Sequence, residues 1–118
     1  GGVVGASGSA SVSSDDLKLH ASILVPNQPG LCFVGTDALN GGDGFAFGDG
    51  LRCAGTQVIR LGTQVPDANG DASWGPGLAS LGAWQPGDDR YFQVWYRDPD
   101  GGGLGFNLSD AIAVTFAL

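Results

Sequence analysis

An aromatic stretch, YFQVWYR at residues 91–97, carries residue types that could bind a sugar. Successive side chains of a β-strand point to opposite faces, so the stretch predicts a core face and a second face. The core face would carry Phe92, Val94 and Tyr96, and the second face Tyr91, Gln93, Trp95 and Arg97. Flat rings stack on the C–H groups of a sugar ring, and amide and guanidinium groups donate to its hydroxyls. The second face is therefore a candidate ligand surface, although Trp95 is equally well interpreted as a core residue.

Two more tryptophans precede proline turns, Trp74 in SWGPG and Trp84 in AWQPG. Their glycine and proline neighbours predict exposed loops. The alternative is that both rings cap the ends of the fold, because aromatic side chains also dominate cores. The predicted ligand-binding set is Trp74, Trp84, Tyr91, Gln93, Trp95 and Arg97.

Carboxylates in a glycine-rich loop form a candidate calcium site. The loop DALNGGDGFAFGDG contains Asp37, Asp43 and Asp49, whose oxygens could hold structural Ca²⁺ together with backbone carbonyls. A second set, DANGD at 67–71, fails as an EF-hand because Leu78 stands at the twelfth position. A third set consists of Asp98, Asp100 and Asp110. Turn-forming aspartates are the alternative interpretation of all three sets, and no cofactor is required.

The cysteines and the histidine do not suggest an enzyme. Cys32 and Cys53 flank the long loop, so we predict a disulfide, with two free buried thiols as the alternative. His20 is the only histidine, and no nucleophile motif such as G-x-S-x-G is present. Aspartates 88, 89 and 98 could converge as glycosidase carboxylates, but turn roles are more typical of Asp beside Gly and Pro.

The elements that must position these residues are short strands. The chain has 118 residues, of which 22 are Gly, and it lacks Glu and Met, so long helices are not expected. Runs rich in Val, Ile, Phe, Trp and Tyr alternate with Gly, Pro, Asn and Asp. We predict an all-β, antiparallel β-sandwich of jelly-roll type with about eight strands, including a short one at LASLG, residues 78–82. Residues 1–9 are predicted to be a flexible linker and residues 10–118 a single domain.

Charge and hydropathy exclude several classes of partner. The formal net charge of −7 repels phosphate backbones and anionic membranes, which argues against binding to nucleic acid or to a membrane surface. No apolar run approaches the roughly 20 residues of a membrane span. The acidic, Lys-poor surface and the even cysteine count favour a secreted, extracellular protein.

The order of four segments, FGDGLRCAG, VIRLG, RYFQVWYRDP and FNLSDAIAVTF, resembles a C-terminal module of secreted multidomain proteins from planctomycete-like bacteria. The likeness covers roughly residues 10–118, and WYRDP and GLRC are its most specific parts. It implies a secreted β-sandwich attached to another domain, and it implies no reaction. More loosely, the chain looks like the small carbohydrate-binding modules of bacterial glycoside hydrolases, such as carbohydrate-binding module family 81.

Together these patterns predict a non-catalytic module that binds a polysaccharide, of β-glucan or cellulose type, and holds an attached glycoside hydrolase near it. The alternative is a structural or adhesive module that docks onto a partner protein through the same aromatic patch. A small hydrolase is the least favoured hypothesis.

Overall fold

The computed structural model describes residues 2–99, 103 and 105–118. It confirms the all-β class: the described residues form eleven strands in antiparallel sheets, one 3-10 turn and one short helix. The strands are more numerous than the predicted eight because residues 37–55, the glycine-rich loop and the five residues after it, contain four very short ones. In chain order they are β1 Val3–Ser7, β2 Lys18–Ser22, β3 Gly30–Gly35, β4 Asp37–Ala38, β5 Phe45–Phe47, β6 Gly50–Arg52, β7 Ala54–Gly55, β8 Ile59–Gln64, β9 Ala72–Trp74, β10 Asp89–Asp98 and β11 Gly105–Thr115.

A four-stranded antiparallel sheet forms one layer, with the strand order β11-β10-β3-β8. Its central pair is β10 and β3, in which Val94 lies opposite Cys32 and Gln93 lies opposite Phe33. Strand β8 is an edge of this sheet, with Arg60 opposite Phe33. This register places the side chains of Phe33, Gln93 and Arg60 on the same face.

A three-stranded sheet of order β1-β2-β9 forms the other layer. Its first strand corrects the predicted linker at residues 1–9, because Val3–Ser7 pairs with β2 along its whole length. The start of the chain is also fixed to the opposite layer. The N–H of Gly2 donates to the hydroxyl of Tyr96 at 2.9 Å, and the N–H of Val4 donates to Asp110 Oδ1 at 2.7 Å. These partners are about 100 residues away in sequence, so local composition could not indicate them.

The main core lies between the two sheets. Period-2 alternation supplies it from both sides, with Leu19 and Ala21 from β2 and with Val34, Phe92 and Val94 from the four-stranded sheet. Phe92 and Val94 are fully buried, which confirms the core face predicted for residues 91–97. Burial of such side chains from water is the main contribution to the stability of the fold.

Residues 37–55, here called the covering segment, lie on the other side of the four-stranded sheet. They form two nested pairs of strands, β4 with β7 and β5 with β6, around a 3-10 turn at Leu39–Gly42. The segment begins and ends at one place, because the N–H of Thr36 donates to the carbonyl of Thr56 at 3.0 Å. Gly35 permits the close approach, since a Cβ there would lie 2.1 Å from the carbonyl oxygen of Gly55.

The predicted strand at LASLG is wrong. These residues form the helix α1, Leu78–Gly82, which buries Leu78 and Ala79. Asp15 supplies the acceptors that the first turn needs, because its carboxylate accepts the N–H groups of Ala79 and Ser80 at 2.8 and 3.3 Å. In the described part of the chain, no helix is long and apolar enough to cross a membrane.

Candidate functional site

The outer face of the four-stranded sheet carries the predicted ligand residues of β10, but they are not equivalent. Arg97 is exposed, Tyr91 and Trp95 are half-buried, and Gln93 is fully buried. Tyr91 and Trp95 pack against a second, smaller core cluster of Phe33, Ala54 and Leu108. The covering segment therefore turns part of the predicted ligand surface into interior.

Gln93 serves the structure and is not available to orient a ligand, contrary to the prediction. Its Oε1 accepts the N–H groups of Cys53 and Ala54 at 2.9 and 3.3 Å. Its Nε2 donates to the carbonyls of Leu51 and Ser109 at 2.7 and 2.6 Å. All the hydrogen-bonding capacity of the carboxamide is thus used: three of its bonds fix the covering segment to the sheet, and the fourth joins β10 to Ser109 of β11.

The two loop tryptophans are also wrong as ligand residues, because each is only 3% exposed and belongs to the main core. Trp74 ends β9, and its Nε1 donates to the carbonyl of Gly62 at 2.8 Å. Trp84 follows α1 and stacks on Phe116 with a centroid distance of 4.9 Å and an interplanar angle of 29°. Proline and glycine correctly predicted turns beside both tryptophans, but they do not indicate whether an indole ring points into the core or into solvent.

A groove of about 300 Å³ remains open beside Trp95. We call it the aromatic–arginine groove, and its lining consists of Leu31, Phe33, Phe47, Arg52, Val58, Arg60 and Trp95. Strands β3 and β10 provide its floor, the β5–β6 pair provides one wall, and β8 with the residue before it provides the other.

Aromatic rings on the β5 side of the groove pack against each other. The ring of Phe106 lies 5.4 Å from that of Phe47, at 67°, and 5.7 Å from that of Trp95, at 31°. Phe47 is 42% exposed and Trp95 is half-buried, so both leave ring surface accessible. Such supported rings can stack on an apolar ligand surface at little cost in side-chain entropy.

Two guanidinium groups face the same groove. The Cζ of Arg52 lies 5.5 Å from the ring centroid of Phe33 and 5.7 Å from that of Phe47, both within cation–π range. The Nε of Arg52 donates to the carbonyl of Ala54 at 3.2 Å, and Arg60 enters from β8. The sequence pattern did not indicate Phe33, Phe47, Arg52 or Arg60 as site residues, because they come from separate segments that only the tertiary fold brings together.

The candidate calcium ligands do not converge. Asp37 lies on β4, Asp43 follows the 3-10 turn, and the N–H of Asp49 donates to the carbonyl of Phe106 at 3.1 Å. Within the described residues, no three His, Cys, Asp or Glu side chains are placed to share a metal ion. Calcium binding through these aspartates stays a prediction.

The other two acidic sets have structural contacts. Asp67 Oδ1 accepts the N–H groups of Asn69 and Asp71 at 2.9 and 3.1 Å, which is the turn role that was the alternative interpretation. In the third set, Asp110 holds the start of the chain, as described above. Asp100 lies outside the described residues.

Both cysteines are free, so the predicted disulfide is wrong. Cys32 points into the main core, whereas the backbone of Cys53 bonds to Gln93 on the opposite side of the sheet. The two thiols are thus separated by the sheet itself. Burial raises the pKa of Cys32 to about 12, which keeps it a protonated, unreactive thiol at neutral pH.

A second depression, of about 530 Å³, lies on the outer face of the three-stranded sheet. Its lining includes His20 and Asp67 but no Trp, Tyr or Phe. Ser7 Oγ and His20 Nε2 are 2.6 Å apart and exposed. Catalysis by a nucleophile and base pair also needs an orienting group and oxyanion donors, so the distance between these two atoms is not by itself evidence for a catalytic centre.

Comparison of the chain with protein-family models, with curated proteins and with solved structures finds no match in any of the three. The resemblance to the planctomycete-type module and to carbohydrate-binding modules therefore stays a prediction that depends on the segments quoted above.

Proposed function

We propose that the chain is a non-catalytic carbohydrate-binding module whose ligand lies in the aromatic–arginine groove. One observation carries the proposal: accessible rings of Phe47 and Trp95 share a groove with the guanidinium groups of Arg52 and Arg60. This combination of side chains suits a saccharide. The C–H faces of a sugar ring stack on the aromatic rings, and its hydroxyls bond to the planar guanidinium donors.

The dimensions of the groove favour a short stretch of a polysaccharide chain. Its volume of about 300 Å³ lies at the lower end of the usual range for small-ligand sites. The groove is also open at the surface, so a bound sugar would keep much of its hydration and the affinity of a single site should be modest. Such affinity suits a module that keeps an attached enzyme, such as a glycoside hydrolase, near an extracellular polymer.

A second candidate is an adhesive, protein-docking module. It is favoured by apolar side chains that are exposed beside the groove, with Phe45 at 56% and Leu51 at 53%. Apolar surface of this kind commonly marks a contact with another macromolecule. The two candidates differ in which side chains matter, because Leu51 alternates with Arg52 on β6 and does not line the groove.

Titration calorimetry with a panel of neutral and acidic oligosaccharides tests the proposal. Phe47→Ala should weaken binding by about 1–2 kcal/mol through loss of a stacking ring, whereas Leu51→Ala on the same pair of strands should leave it unchanged. Thermal melting of both variants checks that the fold is retained.

Absence of binding to every sugar would overturn the proposal. If this were combined with self-association in sedimentation that Leu51→Ala abolishes, the adhesive module would be supported instead.

A further inference from the structure

We infer that the ligand of the aromatic–arginine groove is an acidic polysaccharide, recognised through the carboxylates of its uronic acid units. This inference rests on the proposed carbohydrate-binding function and departs from a neutral glucan. It follows from the distribution of charge around the groove, from the way Arg52 is held, and from the chemistry that two arginines in one groove select.

The groove concentrates positive charge in an acidic protein. The chain has five Lys and Arg residues against twelve acidic ones, yet two of the five, Arg52 and Arg60, line this groove. No acidic residue is among the described residues that line it. The ion pair between Arg90 and Asp88, at 3.5 Å, lies outside the groove. The two groove arginines therefore have no acidic side chain beside them among the described lining residues.

Arg52 is oriented before any ligand arrives. Its planar group is held between cation–π contacts with Phe33 and Phe47 and a hydrogen bond from Nε to Ala54. The residues on either side of Arg52, Leu51 and Cys53, are fixed in turn by Gln93, so the backbone beneath the side chain is anchored to the sheet. Because Nε is used internally, the two terminal nitrogens are left as the fork that can meet a ligand.

Arg60 completes the arrangement from the opposite wall. It lies directly across from Phe33 on the neighbouring strand, while Arg52 lies over the ring of Phe33. Two cations that line one groove repel each other, and an anion between them would offset that repulsion. A neutral sugar would bond to the guanidinium groups but would leave the repulsion in place.

The shape of the donors favours a carboxylate among anions. A guanidinium group presents a planar fork that matches the two oxygens of a carboxylate, and such charge-assisted bonds are roughly twice as strong as neutral ones. The stacking rings beside the arginines require the remainder of the ligand to offer an apolar face, as a sugar ring does. Uronic acid units combine both features in each residue of the polymer.

The overall negative charge of the protein does not prevent this recognition. At physiological ionic strength the Debye length is about 8 Å, so the more distant aspartates are largely screened. Contacts made at hydrogen-bond distance within the groove are screened much less. The negative charge on the rest of the protein should slow the association of anionic ligands, and it should disfavour anions that cannot enter the groove.

The test compares a galacturonic acid oligosaccharide with its methyl ester, a matched pair that differs in the charge of the carboxyl group and by one methyl group. Calorimetry should show the acid form binding at least about tenfold more tightly than the ester, the effect of roughly one charge-assisted pair. Arg60→Gln and Arg52→Gln should each remove most of this preference. Arg52→Lys, which retains the charge but not the fork, should retain only part of it. Arg90→Gln is the matched control, since Arg90 pairs with Asp88, and it should change nothing.

The failures of the two proposals can be told apart. Equal binding of acid and ester, insensitive to Arg60→Gln but weakened by Phe47→Ala, would overturn the acidic ligand and leave the carbohydrate-binding module in place. Binding of a sulfated polysaccharide without binding of the galacturonic acid form would overturn the carboxylate as the recognised group. If no sugar in the panel binds to a variant-sensitive site, the proposed function is wrong and the acidic ligand with it.

Discussion

Gln93 on β10 holds Ala54 of the covering segment through its side chain, since Oε1 accepts the N–H of Ala54 at 3.3 Å and that of Cys53 at 2.9 Å. The same carboxamide donates to the carbonyls of Leu51 and Ser109. One fully buried side chain therefore joins the sheet to the backbone that carries Arg52. The stability of the fold and the shape of the groove depend on the same four hydrogen bonds.

Gln93→Leu should be strongly destabilising, by more than about 3 kcal/mol. The substitution conserves approximate volume but leaves buried N–H and C=O groups without partners, each of which costs about 1–3 kcal/mol. Urea unfolding measures the loss, and Gln64→Leu, at an exposed position of the edge strand β8, is the control. A loss below 1 kcal/mol would show that the covering segment is held by other contacts. Any Gln93→Leu protein that folds should also bind sugar poorly.

The two core tryptophans should respond differently to replacement by phenylalanine. Both are 3% exposed, but Nε1 of Trp74 donates to Gly62, whereas Nε1 of Trp84 has no partner among the described residues. Trp74→Phe loses a hydrogen bond worth about 1 kcal/mol in addition to packing, and Trp84→Phe removes an unsatisfied buried donor. Thermal melting should therefore rank Trp84→Phe as the more stable variant. The opposite order would mean that the indole N–H of Trp84 is satisfied in solution.

Thiol titration should find two free cysteines per chain. In denaturant without reductant, both Cys32 and Cys53 should react with a disulfide reagent, and reduction should not lower the melting temperature. In the native protein only the half-buried Cys53 should react readily, because burial raises the pKa of Cys32 and shields it from the reagent. Cys53→Ser should then leave only a slow phase that follows unfolding. Absence of reactive thiols in denaturant would restore the disulfide.

Asp15 should make the free energy of unfolding depend on pH in the acidic range. Its pKa is lowered, first by the hydrogen bond from the Ser80 hydroxyl and then by those from the N–H groups of Ala79 and Ser80. Because the folded-state pKa lies below the unfolded value, near 3.9, the contribution is complete above that value and is lost as pH falls through the folded pKa.

Asp15→Asn should accordingly cost up to about 1 kcal/mol at neutral pH, because the carboxamide keeps one acceptor oxygen but loses the negative charge and the second acceptor, and hydrogen bonds to a charged group are stronger than neutral ones. The difference in melting temperature from the unaltered protein should shrink below about pH 4. Asp43→Asn, at an exposed position, is the control. A difference that stays constant from pH 7 to pH 3 would contradict the capping role of Asp15.

The features of the fold that depend on local periodicity could be predicted from the sequence. The alternation at residues 91–97 correctly separated Phe92 and Val94 from the opposite face, because a side chain in a strand has only two directions to take. Composition likewise indicated the all-β class, since glycine-rich turns and the lack of Glu and Met leave few alternatives to short strands.

What the sequence could not predict depends on contacts between distant segments. Residues 1–9 have a linker-like composition, yet Gly2 and Val4 are held by Tyr96 and Asp110. Gln93 was predicted to face a ligand because nothing local reveals that residues 51–54 cover it. The groove is formed by side chains of five strands and one loop, so no single stretch of sequence contains its signature.

The hydrogen bond between Thr36 and Thr56 brings the two ends of the covering segment together, so the residues between them can be replaced as one unit. Because both ends leave the sheet at one point, a change in the length or sequence between them does not alter the pairing of β3 with β8. Closure of a longer loop is thermodynamically inexpensive, at about 0.6 kcal/mol for each doubling of length. The lining of the groove can thus diversify while the two sheets stay constant, provided that each new segment presents two N–H groups and one carbonyl to Gln93.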